Sequence, residues 1–282
     1  MQLSYSQDPP RGYPGAYADT GFKDTVSIVV DPNSGTTSAT AGIYPATVVC
    51  SLAEGYGQSP EAQAAAVDNL ILSKASSATP ISLANPSDFD GALAAVAASP
   101  MAVASRVQLV VDSNTDWDAT TATITGIGAN GSLISEDLAI PNDGNATLVT
   151  TNYFASVTGI DIAAQTGANG SWTLGFTSGA SLTAGTVEGI ATWDPTKEPP
   201  ALHGPGQVIP VARTARVWVC SETAVLKGAS VYCRVRNPSA NWPLGSLRTD
   251  DAGGDAVLVP GMRFVSSASA GDIVKLQVDA GQ

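Results

Sequence analysis

The chain has 282 residues, a formal net charge of −12, 44% hydrophobic residues and only 13% charged ones. The apolar share supports a folded core and argues against disorder, and the negative charge argues against nucleic acid as a partner. Twenty-eight glycines and eighteen prolines, set among Ser, Thr, Ala and Val, are the composition of an all-β protein with many turns.

Residues 1–24 read as an extended arm. Asp8-Pro9-Pro10-Arg11-Gly12-Tyr13-Pro14-Gly15 resists both helix and sheet interior, because its prolines lack the amide donor. Tyr13 and Tyr17 suit packing on this subunit or a neighbour. The first residues have neither a basic start nor an apolar core, so no signal peptide is expected. The β-branched run Thr25–Val30 predicts a strand ending in the turn Asp31-Pro32-Asn33-Ser34-Gly35, and Gly42–Cys50 predicts another.

The pattern then changes. Ser59-Pro60-Glu61 carries helix-start chemistry and predicts a helix to about Lys74. Ser87-Asp88-Phe89-Asp90 predicts a second helix, with Phe89, Leu93 and Val96 on one face. The uncharged Ala-rich stretch at 91–105 is too short for a membrane span and is broken by Pro100.

From Arg106 onward the signal is β. Strands are expected at 107–111, 121–127, 133–140, 146–151, 154–163 and 172–176. Asn130-Gly131, Pro141–Gly144 and Asn169-Gly170 supply the turns. Such spacing predicts a small antiparallel sandwich, Ig-like by analogy. Pro199-Pro200 marks a linker. The last strands are expected at 213–220, 230–235, 262–266 and 273–278.

Residue types for catalysis are scarce. His203 is the sole histidine, in a Pro/Gly-rich loop with no nucleophile elbow, and reads as a solvated loop residue. No phosphate-binding glycine loop is present. Asp112-Ser113-Asn114-Thr115-Asp116-Trp117-Asp118 alternates oxygen donors as a calcium loop does. Trp117 stands where glycine is needed and Thr123 where a bidentate Glu is needed, so a solvated connecting loop is the better reading. Cys50, Cys220 and Cys233 are odd in number, lack metal spacing and read as buried thiols. The expectation is a noncatalytic chain with no metal and no cofactor.

Charge is unevenly placed. Residues 51–185 hold twelve acids against Lys74 and Arg106, whereas residues 186–282 balance nine acids with nine bases and include six arginines. Arg213, Arg216, Arg234 and Arg236 lie along strands among apolar residues, and the same-parity pair Arg234 and Arg236 shares one sheet face. Arginine is enriched at protein interfaces, which makes these four candidate contact residues.

Both ends of the chain resemble the structural cement (capsid decoration) proteins of tailed phages. The resemblance lies in Asp8–Gly15 and Ala18–Asp24, in Val211–Val219, in Val225–Tyr232, and in Leu258-Val259-Pro260-Gly261-Met262-Arg263-Phe264. It implies a β-barrel-like base that trimerises and sits on the outer surface of the assembled head; with no signal peptide or membrane span expected, synthesis in the host cytoplasm is the default. The implied partners are the major capsid protein and further copies of the chain. On that footing Arg213, Arg216, Arg234 and Arg236 become candidates for capsid contact, and Tyr13, Tyr17 and Trp218 for oligomer or arm packing. Asn130–Glu136 resembles the Ig-like sandwiches displayed on phage particles. The expected organisation is a base from 1–54 and 186–282, with an inserted β-sandwich and helical lead-in over 55–185. The alternative from another class is a carbohydrate-binding or tail-fibre adhesin, for which Trp117, Tyr153 and Trp172 would have to line an exposed groove.

Overall fold

The computed structural model describes residues 13–19, 23–32, 42–51, 55–94, 100–193 and 202–280. Asp8–Gly12, Thr20–Phe22, Asn33–Gly35, Val96 and Pro199-Pro200 lie outside the described residues. The protein is all-β, with two antiparallel sheets. It divides into two compact units, one of Met1–Glu61 with Val187–Gln282 and one of Ala62–Thr186.

In chain order the first unit opens with β1 (Asp24–Val29), β2 (Val48–Ser51) and β3 (Gly57–Gln58). The second unit holds β4 (Ile71–Ala75), β5 (Ile81–Leu83), β6 (Val103–Ser113), β7 (Thr120–Gly128), β8 (Leu133–Ile140), β9 (Gly144–Val149), β10 (Phe154–Ile162) and β11 (Ser171–Leu182). The chain returns to the first unit through β12 (Val187–Ala191), β13 (Val208–Cys220), β14 (Ser230–Arg234), β15 (Leu247–Arg248), β16 (Ala256–Phe264) and β17 (Ile273–Asp279).

The first unit is a curled half-barrel with strand order β15-β14-β16-β17-β13-β12-β2-β3, and β1 also on β13. Strand β13 is its spine. The first half of β13 pairs with β1 and β12, and the second half pairs with β17. Strict alternation along β17 puts Val274, Leu276 and Val278 inside, and β13 answers with Ala215, Val217 and Val219. The curl returns β15 to the residues after β13. Ser221 and Leu247 form a parallel bridge, and Glu222 N donates to Leu247 O at 2.9 Å. Gly245 (φ 83°) receives Val48 N and donates to Arg234 O, so it ties β2 to β14.

The second unit pairs its strands in two runs, β4-β11-β6-β9 and β5-β10-β7-β8, joined through the pair Phe154–Ser105. Both runs feed one core around Trp117, Trp172, Phe154 and Phe176, all essentially buried. Each such side chain contributes about 1.5–3 kcal/mol of burial. The β7–β8 hairpin turns at Asn130-Gly131, where Gly131 takes φ 76° and Asn130 Oδ1 accepts Ser132 N.

The helical lead-in is overturned. No helix runs from Ser59 to Lys74; the segment lies along β11 and ends in β4. Ala66 N donates to Phe176 O, Leu70 N donates to Leu174 O, and the buried Asn69 accepts Phe176 N through its side chain. These pairings satisfy backbone groups of β11 that a helix would leave open, and they outweigh local helix signals. At the second predicted helix, Pro86–Asp88 forms a single 3-10 turn. Gly91 then packs so close to Asn69 that a Cβ would meet backbone at 2.4 Å. Residues 95–99 lie outside the described residues.

Candidate functional site

The outer face of the half-barrel holds the arginines singled out from sequence. From Val231 to Arg236 buried and half-buried residues alternate, so Tyr232, Arg234 and Arg236 point outward. Arg234 is nevertheless internally committed. Its Nη2 and Nε donate to Glu222 at 2.7 and 2.9 Å, and its Nη1 donates to the carbonyl of Asn237. Glu222 also accepts Arg248 Nη1 at 3.0 Å, and Arg248 reaches Asp250. The Glu222 side chain is only 5% exposed and both guanidinium side chains 13%, so this cluster is close to buried.

The other candidates vary. Arg213 is ion-paired with Glu188. Arg216 is more open, at 52% side-chain exposure, and holds Gln277 Oε1 at 2.9 Å and Asp19 at 3.3 Å. Arg236 donates to Gly254 O at 3.3 Å, and burial lowers its pKa despite nearby Asp255.

The arm packs on its own unit. Residues 15–18 run beside the free edge of β13: Gly15 N donates to Trp218 O at 2.7 Å, Trp218 N to Ala16 O at 2.8 Å, and Ala18 N to Arg216 O at 2.8 Å. Tyr17 forms a bridge to Val217 with the Lys23 ammonium 4.1 Å from its ring centroid, and burial raises its phenol pKa. Tyr13 remains exposed, tilted against Trp193 with centroids 5.8 Å apart. Trp218 sits half-buried on the outer face under the Lys275 ammonium.

One residue of this face was not singled out from sequence. Arg263 is exposed, lies opposite Ser230 on β14 and Gln277 on β17, and shares a shallow recess with Asp279. The Pro-Gly pair inside a strand was the signal that could have found it.

Several sequence readings change. His203 is not solvated; it is 1% exposed and pairs through its backbone with Ile43. The Asp112–Asp118 loop is not a loosely solvated connection either. Asp112 accepts Trp117 Nε1, Ser171 N and Ser171 Oγ at 2.8–3.0 Å, Asp116 accepts Asn169, and Asp118 accepts Thr166. Those oxygens staple the unit together. Among the described residues no group of three or more His, Cys, Asp or Glu could hold a metal ion. Trp117 and Trp172 are buried and Tyr153 is half-buried beneath Arg106, so they form no exposed sugar-binding groove. Cys50 and Cys233 are buried, Cys220 is half-buried, and none of the three forms a disulfide.

A curled antiparallel sheet with an arm laid on its edge, and an outer face of arginines and aromatics, defines an all-β scaffold. The family described as "Structural cement protein (E217 gp24/Pam3 gp6)" matches residues 139–279, half of the chain. The match spans all of β12 to β17. The chain belongs to this family of phage virion capsid proteins, and its role is structural and noncatalytic. No curated protein matches it.

Proposed function

We propose that the chain binds the outer surface of a tailed-phage head, contacts the major capsid protein and stabilises the shell. The family match over 139–279 carries this reading. The first unit acts as the base, with a barrel-like closure suggested by the Ser221–Leu247 bridge. The second unit is an inserted Ig-like sandwich, a reading supported by its two strand runs around one core. The base makes the shell contact. The insert, with ten acids against Lys74 and Arg106 between residues 62 and 186, keeps particles apart by charge. The chain works as a homotrimer, so that three weak contacts add through avidity. Of the four arginines named from sequence, Arg216 is the most open and the best placed to contact the shell; Arg213, Arg234 and Arg236 act chiefly by shaping the face.

The test is rebinding of purified protein to undecorated heads, read by co-sedimentation and by the force or heat needed to open the head. Saturable binding with a more resistant shell is expected, and absence of either refutes the function. Analytical ultracentrifugation reads the trimer, which a monomer both free and on the head would refute. Replacing residues 62–186 by a short linker should preserve binding. A folded base that no longer binds would move the contact to the insert.

A further inference from the structure

Five of the six arginines in the last third are occupied by partners within the chain. Arg213 has Glu188, Arg216 has Asp19 and Gln277, Arg234 and Arg248 have Glu222, and Arg236 has the Gly254 carbonyl. Arg263 differs: its backbone pairs with β14 and β17, but among the described residues its guanidinium makes no hydrogen bond or ion pair. A guanidinium has five donors in a fixed fork that matches a carboxylate, and an exposed one with no internal acceptor is available for an external one.

The backbone places it there. Along β16, Val257 and Val259 are buried and Leu258 and Pro260 face outward. Continued alternation would turn residue 262 outward and Arg263 inward. Instead Met262 and Phe264 are buried and Arg263 is exposed. The parity changes at Pro260-Gly261, where Gly261 adopts φ 72° and the pairing with β14 jumps from Tyr232–Leu258 to Ser230–Arg263. This is a glycine bulge, a device that re-aims a side chain. Only glycine fits, since a Cβ at 261 would lie 2.2 Å from Asp279 O. The same face presents Leu258, 51% exposed, opposite half-buried Tyr232. An unpaired arginine beside an exposed leucine and a tyrosine is the composition of an interface centre.

We infer that Arg263, with Leu258 and Tyr232, forms a docking surface for a carboxylate-bearing protein surface, which on the function proposed above is the outside of the phage shell. Charge complementarity selects that occupant: the exposed fork needs an acid, and Asp279, which lines the same recess, makes no ion pair with it.

The experiment titrates labelled full-length protein onto undecorated heads at two ionic strengths. Arg263→Glu should weaken binding by about tenfold or more and flatten its salt dependence, because a repulsive pair replaces an attractive one. Arg263→Gln, which keeps the size and removes the charge, should give an intermediate loss. Lys227→Glu, another exposed cation, should bind as wild type does. Thermal unfolding must match wild type for each variant, as expected at exposed positions. Wild-type affinity for Arg263→Glu, or an equal loss for Lys227→Glu, overturns the assignment and leaves the cement function standing. Loss of self-association by Arg263→Glu with unchanged head binding also overturns it, in favour of an interface between copies. Failure of wild type to bind heads overturns the function and the assignment together.

Discussion

Glu222→Ala is expected to be the most damaging single substitution on the half-barrel's outer face. The carboxylate accepts three charge-assisted hydrogen bonds, at 2.7 and 2.9 Å from Arg234 and 3.0 Å from Arg248, in a cluster whose side chains are 5% and 13% exposed. Removing one partner of a buried ion pair costs about 3–5 kcal/mol, because the charge left behind stays desolvated. Two guanidiniums would be left here. Each has a fallback: Arg248 keeps Asp250, and Arg234 keeps the carbonyls of Arg236 and Asn237. That places the cost near the lower bound, about 3 kcal/mol, or more than a hundredfold in the folding equilibrium. Hydrogen exchange read on peptides from 208–280 isolates the first unit, and urea unfolding followed by tryptophan fluorescence gives the magnitude. Lys227→Ala is the control, with an expected change within about 0.5 kcal/mol. A Glu222→Ala protein within 1 kcal/mol of wild type would mean that the cluster is well solvated and that the arginines only decorate the surface (about 0–1 kcal/mol per exposed pair).

Other outcomes follow from the same geometry. Gly261→Ala should destabilise the first unit by about 1–3 kcal/mol through its positive φ and the contact with Asp279 O, and should weaken head binding by mis-aiming Arg263; unchanged melting and binding would refute the bulge argument. Burial pushes the Asp112 carboxyl up, but hydrogen bonds from Trp117 and Ser171 together outweigh it and hold it below its ordinary value. A depressed carboxyl contributes stability that is present above its unfolded pKa, about 3.9, and is lost as pH falls through the lower folded value. Asp112→Asn should therefore reduce the acid sensitivity of the second unit between about pH 5 and pH 2, measured by its melting temperature across that range. Burial, with Cys50 nearby, raises the Cys233 pKa well above normal, and the thiolate is the reactive form. Cys233 should resist iodoacetamide in the native protein and react on unfolding, and rapid native labelling would contradict its burial.

The strands were legible because their signals are local. Alternation between two faces and the Asn130-Gly131 turn place β7 and β8 with almost no tertiary information. The helix expected at 59–74 failed for the opposite reason: its Ser59-Pro60-Glu61 start carried helix chemistry, but the open backbone groups of β11, about a hundred residues later, claimed the segment as an extended pairing. Buried Trp117 and the Asp112 staple were equally hidden, since Ser171 lies 59 residues from the aspartate it serves.

The arginines show where sequence reading stops on this surface. Alternation predicts the face a side chain takes, and Arg234 and Arg236 do share one. It says nothing of who waits on that face. Glu222 lies 12 residues from Arg234, Glu188 lies 25 from Arg213, and Asp19 lies 197 from Arg216. A sequence rich in strand arginines therefore overstates the charge that remains free to bind. What remains free depends on internal pairing and on breaks in the alternation. Pro260-Gly261 is such a break, and it moves Arg263 from the inner parity to the outer one. On this surface the arginines of β13 and β14 are met by acceptors that the fold brings in from loops, the arm and neighbouring strands, whereas the one re-aimed by the bulge meets none, so the bulge is the better place to seek a contact.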